Sequence, residues 1–187
     1  MKTKIYALLL LILICVCCRM ETHNSDSDLI SKLNEEVLKE DQIATLHNNN
    51  VVLSCNNKLV NSKGEKILLK NVVKDASLVV RYSAFSCSDC VSFVNKNILE
   101  KVGRKDNILL MLSDIPIRDL HIIKKQLGLL DVYQIDSLPL PIDGEQIPYF
   151  FILDDNYLST SFFIPRKEMP EQTVRYLEFV KERMGQY

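Results

Sequence analysis

Two cysteines three residues apart, in Cys87-Ser88-Asp89-Cys90, form the one compact reactive motif of the chain. A thiol attacks only as a thiolate. A helix N-terminus favours that form, because its first N–H groups lack intrahelical partners and the helix dipole adds positive charge there. The flanking residues supply that setting. Leu78–Ser83 (LVVRYS) reads as a buried strand, and Cys90 to Val102 carries Val91, Val94, Ile98 and Val102 on one face, a helical stripe closed by Gly103. Cys87 therefore falls at a strand-to-helix junction, with Cys90 one turn further in, close enough to bridge Cys87 or to resolve a mixed disulfide on it. Asp89 sets a carboxylate beside the developing thiolate and is expected to oppose its ionisation. A zinc site needs four ligands, and only His23, His47, His121 and Cys55 remain to complete one, none of them at a ligand spacing, so no metal is expected. A purely structural disulfide is the open alternative. Cys55 reads as a small, buried strand residue.

The elements that must hold this motif can be read from periodicity. Leu29 to His47 reads as an amphipathic helix with Leu29, Ile30, Leu33, Val37 and Leu38 inward. Val51–Cys55 and Glu65–Leu69 read as short strands around the turn Asn61-Ser62-Lys63-Gly64. Beyond the motif helix come the strand Asn107–Leu112 and a helix opened by Pro116, with Ile117, Leu120, Ile123 and Leu127 on one face and Gly128 as its C-cap residue. The stretch 131–147, with Pro139, Pro141 and Gly144, reads as a loop. Pro148–Leu153 and Leu158–Ile164 then form a hairpin around Asp154-Asp155-Asn156, and Pro170 opens a last helix with Val174, Leu177, Val180 and Met184 inward.

Composition bounds what this frame can be. The chain has 187 residues, 47% apolar and 25% charged, which excludes intrinsic disorder, collagen-like repeats and a multi-span membrane protein. Its 23 basic and 24 acidic residues leave no global basic field to hold nucleic acid. Lys2 and Lys4 precede an apolar run from Ile5 to Cys18, 14 residues long, which is the length of a signal-peptide core and too short for a spanning helix. Its end, Cys15-Val16-Cys17-Cys18 before polar Arg19, resembles the lipobox of bacterial lipoproteins, which implies cleavage after residue 17 and acylation of Cys18, with Cys17 as the alternative acceptor. Removal of residues 1–17 takes Lys2 and Lys4 and no acid, so the mature chain carries 21 basic against 24 acidic groups. Residues 18–28 are then a polar tether, 29–64 an N-terminal helix and strand extension, and 65–187 the main domain. An exported domain lies where disulfides persist.

The order strand, CxxC, helix, strand, helix, then proline leading into a hairpin and a closing helix resembles the thioredoxin-like thiol–disulfide oxidoreductases, most closely those anchored in the bacterial envelope. The resemblance covers about residues 65–185, and Leu78–Val94 and Ile147–Leu153 are its most specific parts. It implies an α/β fold with a central mixed sheet flanked by helices. It also implies a cis proline beside the reactive pair, and Pro148 stands at that place. Members often carry a buried acid or amide six residues before the first Cys; here that residue is Arg81, which cannot act as a general base and is expected to snorkel outward along its strand, the alternative being that it supplies positive charge near the thiolate.

What the resemblance implies is an enzyme of the envelope, lipid-anchored and facing the periplasm or cell surface, that reduces or exchanges protein disulfides. Cys87 attacks, Cys90 resolves, and Ile147 and Pro148 hold the substrate chain. The redox-active disulfide Cys87–Cys90 is then the only group needed, with no dissociable cofactor. The partners are envelope protein thiols or disulfides and an electron donor. Two other readings stay open: a non-catalytic thioredoxin-like binding module, in which the CxxC is a clip and the loop 131–147 meets a partner, and a metal-handling domain using the two thiols.

Overall fold

The computed structural model describes residues 28–102, 107–128 and 131–184. The signal peptide 1–17, the acylation at Cys18, the tether as far as residue 27 and the Gly103 stop lie outside the described residues. The chain divides into two units, residues 1–43 and 44–187. Helix α1 covers residues 28–48, so the described part of the first unit is helical throughout. Of its expected inward stripe, Leu29, Ile30 and Leu33 are exposed and Val37 and Leu38 half-buried. Charge pairs one turn apart, Asp28 with Lys32 and Glu35 with Lys39, support the helix locally.

The second unit is built on a seven-stranded sheet in the order β2-β1-β5-β4-β3-β6-β7. The strands are β1 (Lys58–Asn61), β2 (Lys66–Leu68), β3 (Ser77–Ser83), β4 (Ile108–Ser113), β5 (Asp131–Gln134), β6 (Tyr149–Leu153) and β7 (Ser159–Phe163). The helices are α2 (Ser88–Lys101), α3 (Ile117–Leu127) and α4 (Pro170–Met184). Parallel β3–β4 pairing (Leu78↔Ile108 through Ser83↔Ser113) and antiparallel β3–β6 pairing (Val80↔Phe150, Arg81↔Tyr149) make β3 a central strand. Its run of five buried residues follows from having both edges paired and both faces covered.

Alternation along the strands sorts the core into two faces. Leu78, Val80, Tyr82, Leu110, Leu112, Phe150 and Ile152 pack against Val94 and Ile98 of α2, Leu120 and Leu127 of α3, and Leu177 and Val180 of α4. All three helices therefore lie on one face. Val79, Leu109, Met111, Tyr149 and Phe151 point the other way, where Leu53, Leu69, Val73, Ile135, Leu138 and Leu140 cover them mostly from connecting segments, with Ala44 at the end of α1 packed alongside. Gly128 ends α3 in the left-handed conformation (φ 60°), as its C-cap position requires.

Two expectations are corrected. Val51–Cys55 is not a strand: it runs beside the start of β7 and makes one isolated bridge, Val52 to Leu158, before turning at Cys55. Val52 is exposed while Leu53 is buried and Val51 packs beside it, and the Leu53 N–H donates to the Tyr157 carbonyl (2.8 Å). Cys55 is thus a half-buried turn residue whose carbonyl accepts the Lys70 N–H. The stretch 131–147 is more than a loop, since its first four residues are β5, paired to β4 on one edge and β1 on the other. Residues Pro141–Glu145 form a short 3-10 helix.

Candidate functional site

β3 ends at Ser83, and four residues later the chain enters α2. That short passage is fastened at several points. Ser86 is buried; its hydroxyl accepts the Ser83 N–H (3.0 Å) and its own N–H donates to the Ser83 carbonyl (3.1 Å). The Phe85 N–H donates to the Ser83 hydroxyl (3.2 Å), and the Ala84 N–H reaches the Ser113 carbonyl at the end of β4 (3.1 Å). Cys87 follows as the N-cap residue, with extended backbone (φ −50°, ψ 123°), and its carbonyl accepts the first helical bond from Val91 (2.9 Å). Cys90 is therefore the third residue of the helix, and the two thiols come together on its first turn.

The pair is asymmetric. Cys87 is exposed and Cys90 half-buried, and both stand as free thiols. The Cys90 thiol and the N–H groups of Cys90 and Asp89 favour the Cys87 thiolate, with help from the charge of Lys167, and hold its pKa below the ordinary thiol value. Burial is the main cause that pushes Cys90 up, to about 11, with the neighbouring Cys87 acting in the same direction. The expected repulsion from Asp89 does not prevail. Its carboxylate is paired with Lys167 at 3.8 Å, and that lysine, absent from the sequence reading, lowers both thiols. Phe85 is exposed beside the site.

Arg81 overturns its expectation of an outward course. On the loop-covered face it is 3% exposed, and its guanidinium grips Asp143 through two donors, Nε to Oδ1 at 2.8 Å and Nη2 to Oδ2 at 3.0 Å. It also donates to the carbonyls of Ile135 (3.0 Å) and Asp136 (3.3 Å). The Tyr149 hydroxyl and the Leu138 N–H donate to the same carboxylate. A buried cation cannot stay unpaired, and Asp143 of the 3-10 turn satisfies it. The network fixes the segment from Ile135 to Tyr149, and Asp143 balances the guanidinium charge.

Ile147 and Pro148 lie where that segment enters β6. Antiparallel pairing sets Tyr149 opposite Arg81, which puts Pro148 at the end of the sheet from which the Cys87 passage departs. The Ile147–Pro148 bond is trans, against the expected cis form. The reversal is made one residue earlier, by Gln146 in the left-handed region (φ 56°), so the proline enters the strand without a cis bend. Pro148 is buried, and Ile147 packs partly into the loop-covered core.

Among the described residues no group of three or more His, Cys, Asp or Glu is gathered to hold a metal, and no helix is long and apolar enough to cross a membrane. His121 is exposed. A cleft lined by Lys74, Asp75, Asp154, Asp155 and Arg183 lies at the opposite end of the sheet from the thiols.

No family model matches the chain, and no curated protein does. Solved structures do. One, a candidate electron transfer protein of Aquifex aeolicus, is 12% identical, with a TM-score of 0.53 over 72% of this chain and 95% of its own. Two looser likenesses are a candidate protein disulfide isomerase of Bacteroides thetaiotaomicron (13% identity, TM-score 0.48, 73% of this chain and 93% of its own) and a secreted disulfide oxidoreductase of Mycobacterium tuberculosis (7%, 0.45, 67% and 96%). With its mixed sheet, flanking helices and N-terminal helix, the chain has the thioredoxin-like fold.

Proposed function

We propose that this chain is a thiol–disulfide oxidoreductase that reduces or exchanges disulfides in other proteins. The observation that carries the reading is the inequality of the two thiols: an exposed Cys87 that ionises readily and a half-buried Cys90 that does not. The Cys87 thiolate attacks one sulfur of a substrate disulfide, forming a mixed disulfide, and the other substrate sulfur departs as a thiolate that takes up a proton. Cys90 then gives up its proton and attacks Cys87 Sγ. The second substrate thiol leaves, and the Cys87–Cys90 disulfide holds the oxidising equivalents. Two electrons have passed to the substrate, and a separate dithiol donor must return them for the next cycle. No dissociable cofactor enters these steps. An exposed Cys87, following exposed Phe85 along the passage, suits a protein chain better than an enclosed small molecule.

The same proposal places the enzyme in a bacterial envelope, held by a lipid on Cys18 and facing the periplasm or cell surface. The support is the apolar run from Ile5 to Cys18. In cells expressing the full chain, Cys90→Ser should accumulate covalent mixed disulfides with envelope proteins, and Cys87→Ser none. Equal absence of adducts in both variants, with similar losses of stability, would make the motif a clip and favour the binding-module reading. A labelled fatty acid should mark the wild type and not Cys18→Ala; equal labelling of both would remove Cys18 as the acceptor.

A further inference from the structure

The turn between β7 and α4 approaches the thiols from outside the motif. Ile164, Pro165 and Met169 are buried, and the Met169 N–H closes the turn on the Arg166 carbonyl (3.2 Å). With its ends sunk in the core, the turn has a fixed position and presents Lys167 and Glu168 outward. Lys167 Nζ meets Asp89 Oδ2, inside the CxxC, at 3.8 Å. We propose that Lys167 is a positioning residue for thiol exchange, held against the motif by Asp89, whose carboxylate it offsets so that the neighbouring Cys87 can attack as a thiolate.

This inference rests on the exchange reading above and adds a residue that neither the motif nor the fold assigns. The groups facing the two sulfurs are few. On α2 they are Asp89 and the thiols themselves; from the turn, Lys167 acts on both sulfurs and Glu168 on Cys90. Lys167 offsets the Asp89 carboxylate that would otherwise repel a Cys87 thiolate. Glu168 opposes the ionisation of Cys90.

The test uses the reduced full chain as wild type, Lys167→Gln, Lys167→Arg and Glu168→Gln. Iodoacetamide labelling of Cys87 is followed against pH by peptide mass spectrometry, at low salt and in 1 M NaCl. Lys167 is largely exposed, so its replacement leaves the fold intact. Lys167→Gln should move the Cys87 midpoint up by about half a pH unit at low salt, roughly a threefold slower reaction at neutral pH. Lys167→Arg should restore the wild-type curve, and high salt should bring the Gln variant and wild type together. Glu168→Gln should speed the labelling of Cys90. Superimposed wild-type and Lys167→Gln curves at low salt would overturn the inference. Thiol release from a small aromatic disulfide, read in the same samples, reports the exchange reading separately: a shifted labelling curve without exchange would sink that reading alone.

Discussion

Arg81→Met should destabilise the fold by about 3–5 kcal/mol, the largest single loss we expect from any charged residue of the chain. The side chains of Arg81 and Asp143 are 3% and 8% exposed, so neither can turn to water when its partner is removed. The methionine fills the stem of the arginine but leaves Asp143 with only the Tyr149 hydroxyl and the Leu138 N–H. It also strips the Ile135 and Asp136 carbonyls of their guanidinium donors. A buried carboxylate with its cation gone bears the full desolvation cost. Replacing both partners by apolar residues (Arg81→Met with Asp143→Leu) should cost less than either change alone, because no charge is then stranded. Urea unfolding of the four proteins closes the cycle. Additive losses would mean that the two side chains stabilise the fold independently. Tyr149→Phe, which removes one donor, should cost about 1 kcal/mol.

The consequence for function is positional. The network ties the 3-10 turn and the entry to β6 to the centre of β3, the strand that ends at the reactive passage. Loosening it frees the segment that carries Ile147 and Pro148; on the proposal that these two residues hold the substrate chain, the Arg81 variant should also lose substrate affinity while the labelling of Cys87 changes little.

Much of the frame was legible because it depends on local signals. The strand-to-helix junction at Cys87, the α2 stripe of Val94 and Ile98, the Gly128 cap and the β6–β7 hairpin around Asp154 all follow from residues a few positions apart. What escaped depends on distant partners. Arg81 finds Asp143 across 62 positions, and no pattern within either segment announces the pair. Lys167 reaches Asp89 by the same kind of long-range meeting, which is why the carboxylate alone was expected to suppress the thiolate. β5 is four residues long, with Val132 its one fully buried side chain, too brief for alternation to stand out ahead of Pro139 and Gly144. The stripe of α1 is the opposite case: periodicity shows only that a face is apolar, and Leu29, Ile30 and Leu33 of that face are exposed.

The second large effect concerns the thiols, and it is close to all or none. With the reduced chain at neutral pH, nearly all attack on a disulfide should come from Cys87, because a thiol titrating at about 11, as Cys90 does, is almost entirely protonated there. Raising the pH increases the thiolate of each residue, and Cys87 should reach its plateau first, below the ordinary thiol range. Cys87→Ser should therefore reduce exchange to the slow background of the remaining thiols. Cys90→Ser should keep the first step and lose the second, since attack and resolution belong to different sulfurs.

The central claim, that the two thiols work as one two-electron pair, is tested most directly by counting. Reduced wild-type chain is mixed with an excess of a small aromatic disulfide, the released thiol is measured, and the protein is mapped by mass spectrometry. The account predicts two equivalents released per chain with a Cys87–Cys90 disulfide formed, one equivalent and a stable adduct on Cys87 in Cys90→Ser, and almost none in Cys87→Ser. Stable adducts on Cys87 in the wild type, with no internal disulfide formed, would contradict it.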